Sequence, residues 1–339
     1  MPLHRWKIGL VSALVGALLM PTQAAADTRP TAVVSLGDSA MSGEGAGDYE
    51  PGTRGENGNW CHRSTRSMIH RTQLAQRTFN LACSGADSAN VSLADTTHYT
   101  EGSQAKRLID IATANRVTMV IVQVGANDEP AFADTMVDCI REWFNPLSAG
   151  CAPKLRQQWP QRLAAMAPRV EAALADVRTA MRQAGYADSA YALVLTSYAS
   201  PLTEKMDPIL HGPQGCPFKL PDARYGRTEA VPQFNAALRG VASRAGVRFL
   251  DLSRATEGHE ACSGGGNPSG EWQRRITVDP WALVTGGLDA IGLHLAQESF
   301  HPNAAAHAQL GRCVTQFVLS GANSARCVIG SDGNLNAVT

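Results

Sequence analysis

The sequence has little that would hold nucleic acid, metal or membrane. Basic and acidic residues number 30 each among 339. The net charge is therefore zero, no basic block stands out, and non-specific nucleic-acid binding has no positive field to rest on. Beyond the first 20 residues no run is apolar enough to cross a bilayer, which argues against stable membrane insertion. Aromatic residues make up only 6% of the chain, too few to favour a long groove that stacks sugar rings. No C-x-x-C pair occurs, which removes the spacing expected of a zinc–thiolate site. Internal repeats and low-complexity linkers are absent too, so one domain accounts for the length.

What is present begins with an export signal. His4, Arg5 and Lys7 precede an apolar run over residues 8–20, and Ala24, Ala25 and Ala26 follow it. A basic start, a short apolar core and an A-x-A site read as a secretory signal cleaved near Ala26. The chain then divides into a signal peptide (1–26), one domain (27–328) and a flexible C-terminal tail (329–339), with the mature protein extracellular or periplasmic. The eight cysteines, Cys61, Cys83, Cys139, Cys151, Cys216, Cys262, Cys313 and Cys327, fit that compartment, because an even count in an exported chain argues for disulfides. Sequential pairing is the simplest connectivity: Cys61 with Cys83, Cys139 with Cys151, Cys216 with Cys262 and Cys313 with Cys327. Sequence alone does not choose it over the others.

The β-branched run at residues 33–36 stops abruptly at Gly37-Asp38-Ser39. Such a run reads as a buried parallel strand followed by a turn. Further strands are expected at 79–83, 119–124, 191–196 and 247–251, and helices over 68–75, 103–115, 159–184, 231–245 and 303–319, with Gly185 stopping the long one. A loop is expected to carry Cys139 and Cys151. Strands alternating with helices imply an α/β chain with a parallel sheet covered on both faces. The apolar stretch 281–295 would line a binding site or pack as a flap. Pro302 would sit in the first turn of the last helix, where a missing N–H costs nothing.

The first three strands end in small or polar turns: Gly37-Asp38-Ser39, Ser84-Gly85 and Gly125-Ala126-Asn127-Asp128. In a parallel sheet these ends share one edge, where open α/β sheets bind ligands. A fourth piece, Glu298-Ser299-Phe300-His301-Pro302-Asn303, precedes the closing helix. The four pieces, in this order, resemble the four blocks of the SGNH hydrolases, also called the GDSL esterase/lipase family. Ser42-Gly43-Glu44-Gly45-Ala46-Gly47-Asp48-Tyr49, Cys61-His62-Arg63-Ser64 and Ala82-Cys83-Ser84-Gly85-Ala86 are similar to the secreted, disulfide-bonded actinobacterial-type esterases.

The resemblance implies a three-layer α/β/α sandwich around a flavodoxin-like parallel sheet of about five strands. It also implies hydrolysis of carboxylic acyl esters, with a small-molecule or lipid ester as substrate and no cofactor. Ser39 would be the nucleophile and His301 the general base. Glu298 would be the third catalytic member, and the Ser39 N–H, the Gly85 N–H and the Asn127 amide would form the oxyanion hole. Glu298 stands where the family has Asp, one methylene shorter, and some relatives resemble a dyad whose His is oriented by a backbone carbonyl. Ala126 stands where the family often has Gly. Asp38 and Asp128 read as braces of their turns. His294 and His307 flank His301 at seven and six residues, unlike the i, i+4 pattern of H-E-x-x-H sites, so no metal ligand is assigned. The chain is read as a monomer. A carbohydrate O-acetyl esterase on the same fold and a non-catalytic secreted binding protein are the competing readings; intact Ser39 and His301 favour turnover. The missing G-x-S-x-G motif argues against an α/β-hydrolase.

Overall fold

The computed structural model describes Met1 and residues 27–206, 215–276 and 297–339. Residues 2–26 of the segment read as a signal peptide, and the apolar stretch 281–295, lie outside the described residues. Seven strands form the main sheet: β1 (Thr31–Gly37), β2 (Arg77–Asn80), β5 (Arg116–Gln123), β6 (Ala192–Thr196), β7 (Arg248–Asp251), β8 (Ser324–Ile329) and β9 (Leu335–Val338). Their order is β2-β1-β5-β6-β7-β8-β9. Every neighbouring pair is parallel except β8 and β9. Two short strands, β3 (Thr97–His98) and β4 (Glu101–Gly102), make a separate antiparallel ribbon.

Strand alternation sorts the apolar residues into two cores. Val34, Leu36, Val120 and Val122 face one side. There they pack on Leu108 of α3 (Gln104–Ala114), Leu174 and Val177 of α5 (Ala152–Gln183), and Leu238 and Val241 of α7 (Val231–Ala245). Val33, Met119, Ile121 and Leu250 face the other side, against Met68, Ile69 and the residues Leu310, Val314 and Phe317 of α8 (Ala304–Ser320). A sheet buried on both faces explains why β1 and β5 read as continuous apolar runs. The result is a three-layer α/β/α sandwich.

The long helix α5 ends as its sequence predicts. Gly185 adopts φ +88°. The Gly185 N–H donates to Arg182 O at 2.9 Å and the Tyr186 N–H to Met181 O at 3.0 Å, the paired bonds of a Schellman motif. Three expectations need correction. The loop carrying Cys139 contains a helix, α4 (Phe132–Phe144), tied to the start of α5 by the Cys139–Cys151 disulfide. Pro302 lies outside α8, whose N-cap is Asn303, with its side chain accepting from the Ala306 N–H at 3.0 Å.

The third correction is the C-terminus. The segment read as a flexible tail forms β9, and the sheet has seven strands rather than about five. Leu335 is fully buried, and Cys313–Cys327 fastens β8 to α8. The outward N–H groups of Leu335 and Ala337 donate to the side chains of Gln309 and Gln316 on α8, each at 2.9 Å. Helix glutamines thus satisfy an edge that would otherwise be an open template for pairing. All four disulfides follow sequential pairing.

His307 of α8 generates a stability prediction. Its ring is fully buried, and Nδ1 accepts from the Met68 N–H at 3.1 Å. Burial pushes its pKa from 6.5 down to about 3. The unfolded chain therefore takes a proton near pH 6.5 that the folded chain refuses, and this contribution to stability is lost as pH falls from about 6.5 toward 3. Asp38 and Asp128, raised to about 7 and about 6 by burial, act in the opposite direction, so the comparison must be internal. Between about pH 7.5 and about pH 4, the melting temperature of wild type should fall more steeply than that of His307→Gln. Parallel curves would contradict this.

Candidate active site

Among β2, β1, β5, β6 and β7 the order reverses between β1 and β5, the topological switch point at which open α/β sheets bind ligands. Ser39 sits there, as the first residue of the short helix α1 (Ser39–Ser42). Gly37 adopts φ +143°, and a Cβ at that position would lie 2.0 Å from Gln123 O; only glycine fits. The Gln104 side chain clamps the same residue from both sides. The Gly37 N–H donates to Oε1 at 2.7 Å, and Nε2 donates to Gly37 O at 2.8 Å. Asp38 caps α1, accepting from the Ala40 N–H at 3.1 Å. Its other oxygen accepts from the Tyr198 hydroxyl. Burial raises the Asp38 carboxyl to about 7, with these hydrogen bonds working against the rise.

His301 arrives from the opposite end of the chain. Its Nε2 lies 2.8 Å from Ser39 Oγ, and its Nδ1 lies 3.0 Å from Ser299 O. A carbonyl oxygen only accepts, so Nδ1 carries the proton and Nε2 is left to accept from the serine. The ring is held through Phe300, which takes φ +60° and packs edge-on against Phe218 at 5.2 Å between centroids. The Phe300 N–H donates to Arg274 O at 3.0 Å, and the Arg274 N–H to His301 O at 2.9 Å. Burial lowers the His301 pKa below 6.5, while the charge of Glu44 and the Ser299 carbonyl pull it back up.

Glu298 is the residue that the geometry sets aside. Its Oε1 accepts from the Tyr49 hydroxyl at 2.8 Å and its Oε2 pairs with Arg274 at 3.0 Å. The imidazole Nδ1 instead meets a backbone carbonyl one residue later in the chain. Both carboxylate oxygens are thus engaged by partners other than the ring.

Gly85 and Asn127 line the cleft of about 170 Å³ that also holds Ser39 and His301. Gly85 is exposed with φ +82°, and its N–H donates to no acceptor among the described residues. Asn127 Nδ2 donates one hydrogen to Ala86 O at 2.9 Å, leaving its second for another acceptor. Asp128 braces its turn by accepting from the Ser88 N–H and hydroxyl at 3.2 and 2.9 Å. A second, mostly apolar cavity of about 140 Å³ opens from the same pair of residues, walled by Leu155, Trp159, Leu202, Phe218 and Phe234 among others.

Some important groups carry no role in the sequence reading. Glu44 is completely buried. It accepts from His62 Nδ1 at 2.9 Å and from the Ser84 hydroxyl, and lies 3.2 Å from the Tyr49 hydroxyl. Both Glu44 and His62 lie inside motifs that sequence inspection singles out, but a charge buried between two turns has no local periodicity to reveal it.

The comparisons with known proteins bear on the family and the fold. The model of the GDSL-like lipase/acylhydrolase family matches residues 35–309. A lipase of Streptomyces rimosus is 28% identical over 251 residues, covering 73% of this chain and 78% of the relative. Lipase 1 of Streptomyces coelicolor is 27% identical over 317 residues, covering 88% and 92% respectively. Among solved structures, a phospholipase A1 from Streptomyces albidoflavus NA297 superposes with a TM-score of 0.55 at 19% identity, covering 86% of this chain and 99% of the other. An extracellular lipase from Streptomyces rimosus gives 0.50 at 23% identity, covering 86% and 100%. At those identities the two structures speak for the fold. The chain belongs to the GDSL-like lipase/acylhydrolase family. It is a carboxylic ester hydrolase.

The buried carboxylate supplies the prediction here. Glu44→Ala would leave the His62 and Ser84 donors without their acceptor, while Tyr49 keeps Glu298. Denaturant unfolding should show a loss of about 3 kcal/mol, the upper range for buried groups left unsatisfied. A change below about 0.5 kcal/mol would mean that this network does not hold the turns together.

Proposed function

We propose that the chain is a secreted esterase or lipase that works through a Ser39 acyl-enzyme. Ser39 Oγ attacks the acyl carbon as His301 Nε2 accepts its proton. The oxyanion accepts from the Ser39 N–H, the Gly85 N–H and the Asn127 amide. The His301 proton then passes to the leaving alcohol, and a water deprotonated by the same ring releases the acid. The observation that carries this reading is the 2.8 Å contact between Ser39 Oγ and His301 Nε2. The orienting partner of the ring is the Ser299 carbonyl rather than Glu298, a reading supported by the 3.0 Å Nδ1 contact. The residues require no cofactor.

The apolar walls of the second cavity support acyl chains longer than acetyl, and so favour an esterase or lipase over a carbohydrate O-acetyl esterase. Export is supported by four disulfides, which persist in oxidising compartments. Among the described residues no helix is long and apolar enough to cross a membrane.

Hydrolysis of p-nitrophenyl esters tests the assignment. Ser39→Ala and His301→Ala should each lose about 10⁴-fold or more in kcat, and wild-type turnover by Ser39→Ala would end it. Glu298→Gln should lose less than about 10-fold, because it does not touch the ring; a loss matching His301→Ala would restore Glu298 as a catalytic member. His301 must be neutral to act. Its pKa is lowered by burial, so kcat/KM should stay high as pH falls to 6.5 and decline only below it.

A further inference from the structure

We propose that His98, outside every motif singled out above, is a positioning residue that aims the Gly85 N–H at the oxyanion. The inference rests on the reading of Gly85 as an oxyanion donor. His98 ends β3, in the ribbon beside the site, and its Nε2 lies 2.8 Å from Ser84 O. That oxygen only accepts, so Nε2–H is the donor. Ser84 O and the Gly85 N–H belong to one rigid peptide plane, and in a trans peptide they point in opposite directions. A donor holding the oxygen at one end therefore fixes the aim of the N–H at the other. The same bond polarises the peptide, because linked hydrogen bonds strengthen one another.

The surroundings single out this bond. The Ser84 N–H donates to Cys61 O at 3.1 Å, the Ala86 N–H donates to Cys83 O at 3.1 Å, and the Ser84 hydroxyl donates to Glu44. These bonds hold the flanks of the turn. Among the described residues, His98 alone bonds the Ser84–Gly85 peptide itself. Its ring also lies over Gly85, where a Cβ would come within 3.3 Å of Nε2. Tyr99 packs against the ring at 4.3 Å between centroids and lines the cleft, which keeps the imidazole in place. The relay runs from Nε2–H through the peptide to the oxyanion, so it strengthens as charge develops. It should act on the transition state and not on substrate binding.

The test compares His98→Gln, which keeps a donor at similar reach, with His98→Met, which does not. Both are made in the mature chain and assayed on p-nitrophenyl butyrate, with binding of an alkyl boronic acid as a mimic of the tetrahedral intermediate. His98→Met should lower kcat about 10- to 50-fold, less than the 10²–10³ lost with a whole oxyanion donor. KM should stay within about twofold, and boronate affinity should fall by a factor similar to kcat. His98→Gln should recover at least about a third of wild-type kcat. The inference is overturned by a methionine variant with kcat within about twofold of wild type, by a loss confined to KM, or by a glutamine variant as impaired as methionine. Should the methionine protein fail to fold, His98→Asn, whose shorter amide cannot reach Ser84 O, takes its place with the same outcomes. Ser39→Ala runs alongside. Full turnover by that variant would overturn the serine mechanism and this inference together, whereas an inactive Ser39→Ala beside an unaffected His98→Met would overturn this inference alone.

Discussion

The end of β1 lies so close to the end of β5 that no side chain fits between them. Gly37 presses against the Gln123 carbonyl, and that same carbonyl accepts from the Asp38 N–H at 3.0 Å. The last residue of β5 therefore decides where the chain leaves β1. Gln104, at the start of α3, holds both polar groups of Gly37, so the turn cannot pivot. Gln123 also reaches sideways, with Nε2 donating to Ser197 O beyond β6 at 2.6 Å. Three neighbouring strand ends are tied along one edge, and Ser39 is delivered to that edge with little freedom left. On the proposed mechanism Ser39 is the nucleophile, and a reacting group misplaced by about 1 Å can lose 10²-fold in rate, which would account for so much hydrogen bonding on a turn of three residues.

Around this turn, carboxylates serve as structural anchors. Asp38 caps α1 and receives Tyr198. Asp128 receives Ser88. Glu101 gathers Arg63, Arg107 and Asn59, bracing β4 against the segment around Cys61. The Tyr49 hydroxyl donates to Glu298 at 2.8 Å and lies 3.2 Å from Glu44, and so joins the loop after Ser39 to the segment that carries His301. Buried carboxylates are costly unless they are hydrogen-bonded; each of these is, and Glu101 and Glu298 are also ion-paired with arginines. The contacts that close the site are largely between loops far apart in sequence, held by groups that only function as anchors once both loops are in place.

The sequence made some of this legible and not the rest, for physical reasons. Strands buried on both faces write themselves as uninterrupted apolar runs, so β1, β5 and β6 could be read directly. The turns at Ser39, Gly85 and Asn127 were legible because positive φ and close approach demand glycine or a small polar residue. The cysteine pairs are local, and sequential pairing was the simplest choice. β9 escaped because an edge strand of four residues, Leu-Asn-Ala-Val, buries only one side chain fully; its stability comes from glutamines on α8, a tertiary fact. The helix α4 was hidden by the expectation that a disulfide marks a loop. Glu298 was the reading that the resemblance implied, but a position in a motif cannot show that Arg274 and Tyr49 hold its oxygens. His98 carries no motif at all, since its partner is a peptide group and peptide groups are everywhere.

On the proposed mechanism, orienting His301 through a carbonyl has an electrostatic consequence. A carbonyl dipole fixes the tautomer as well as a carboxylate does, but it stabilises imidazolium less, because it brings no net charge. Burial further disfavours the protonated ring. The compensation comes from a distance: the Glu44 charge is the largest influence raising the proton affinity of the ring. Glu44 also accepts from the Ser84 hydroxyl beside the oxyanion turn, where a negative charge would by itself oppose the developing oxyanion. The two effects need not conflict. The transition state is an ion pair, with positive charge on the ring and negative charge on the former carbonyl oxygen. A carboxylate can support the first if the second is met by peptide and amide N–H groups aimed at it. The aim of those N–H groups then becomes the more demanding requirement, which fits a turn whose Ser84 and Ala86 polar groups are bonded on both sides of Gly85 while the Gly85 N–H donates to no acceptor among the described residues.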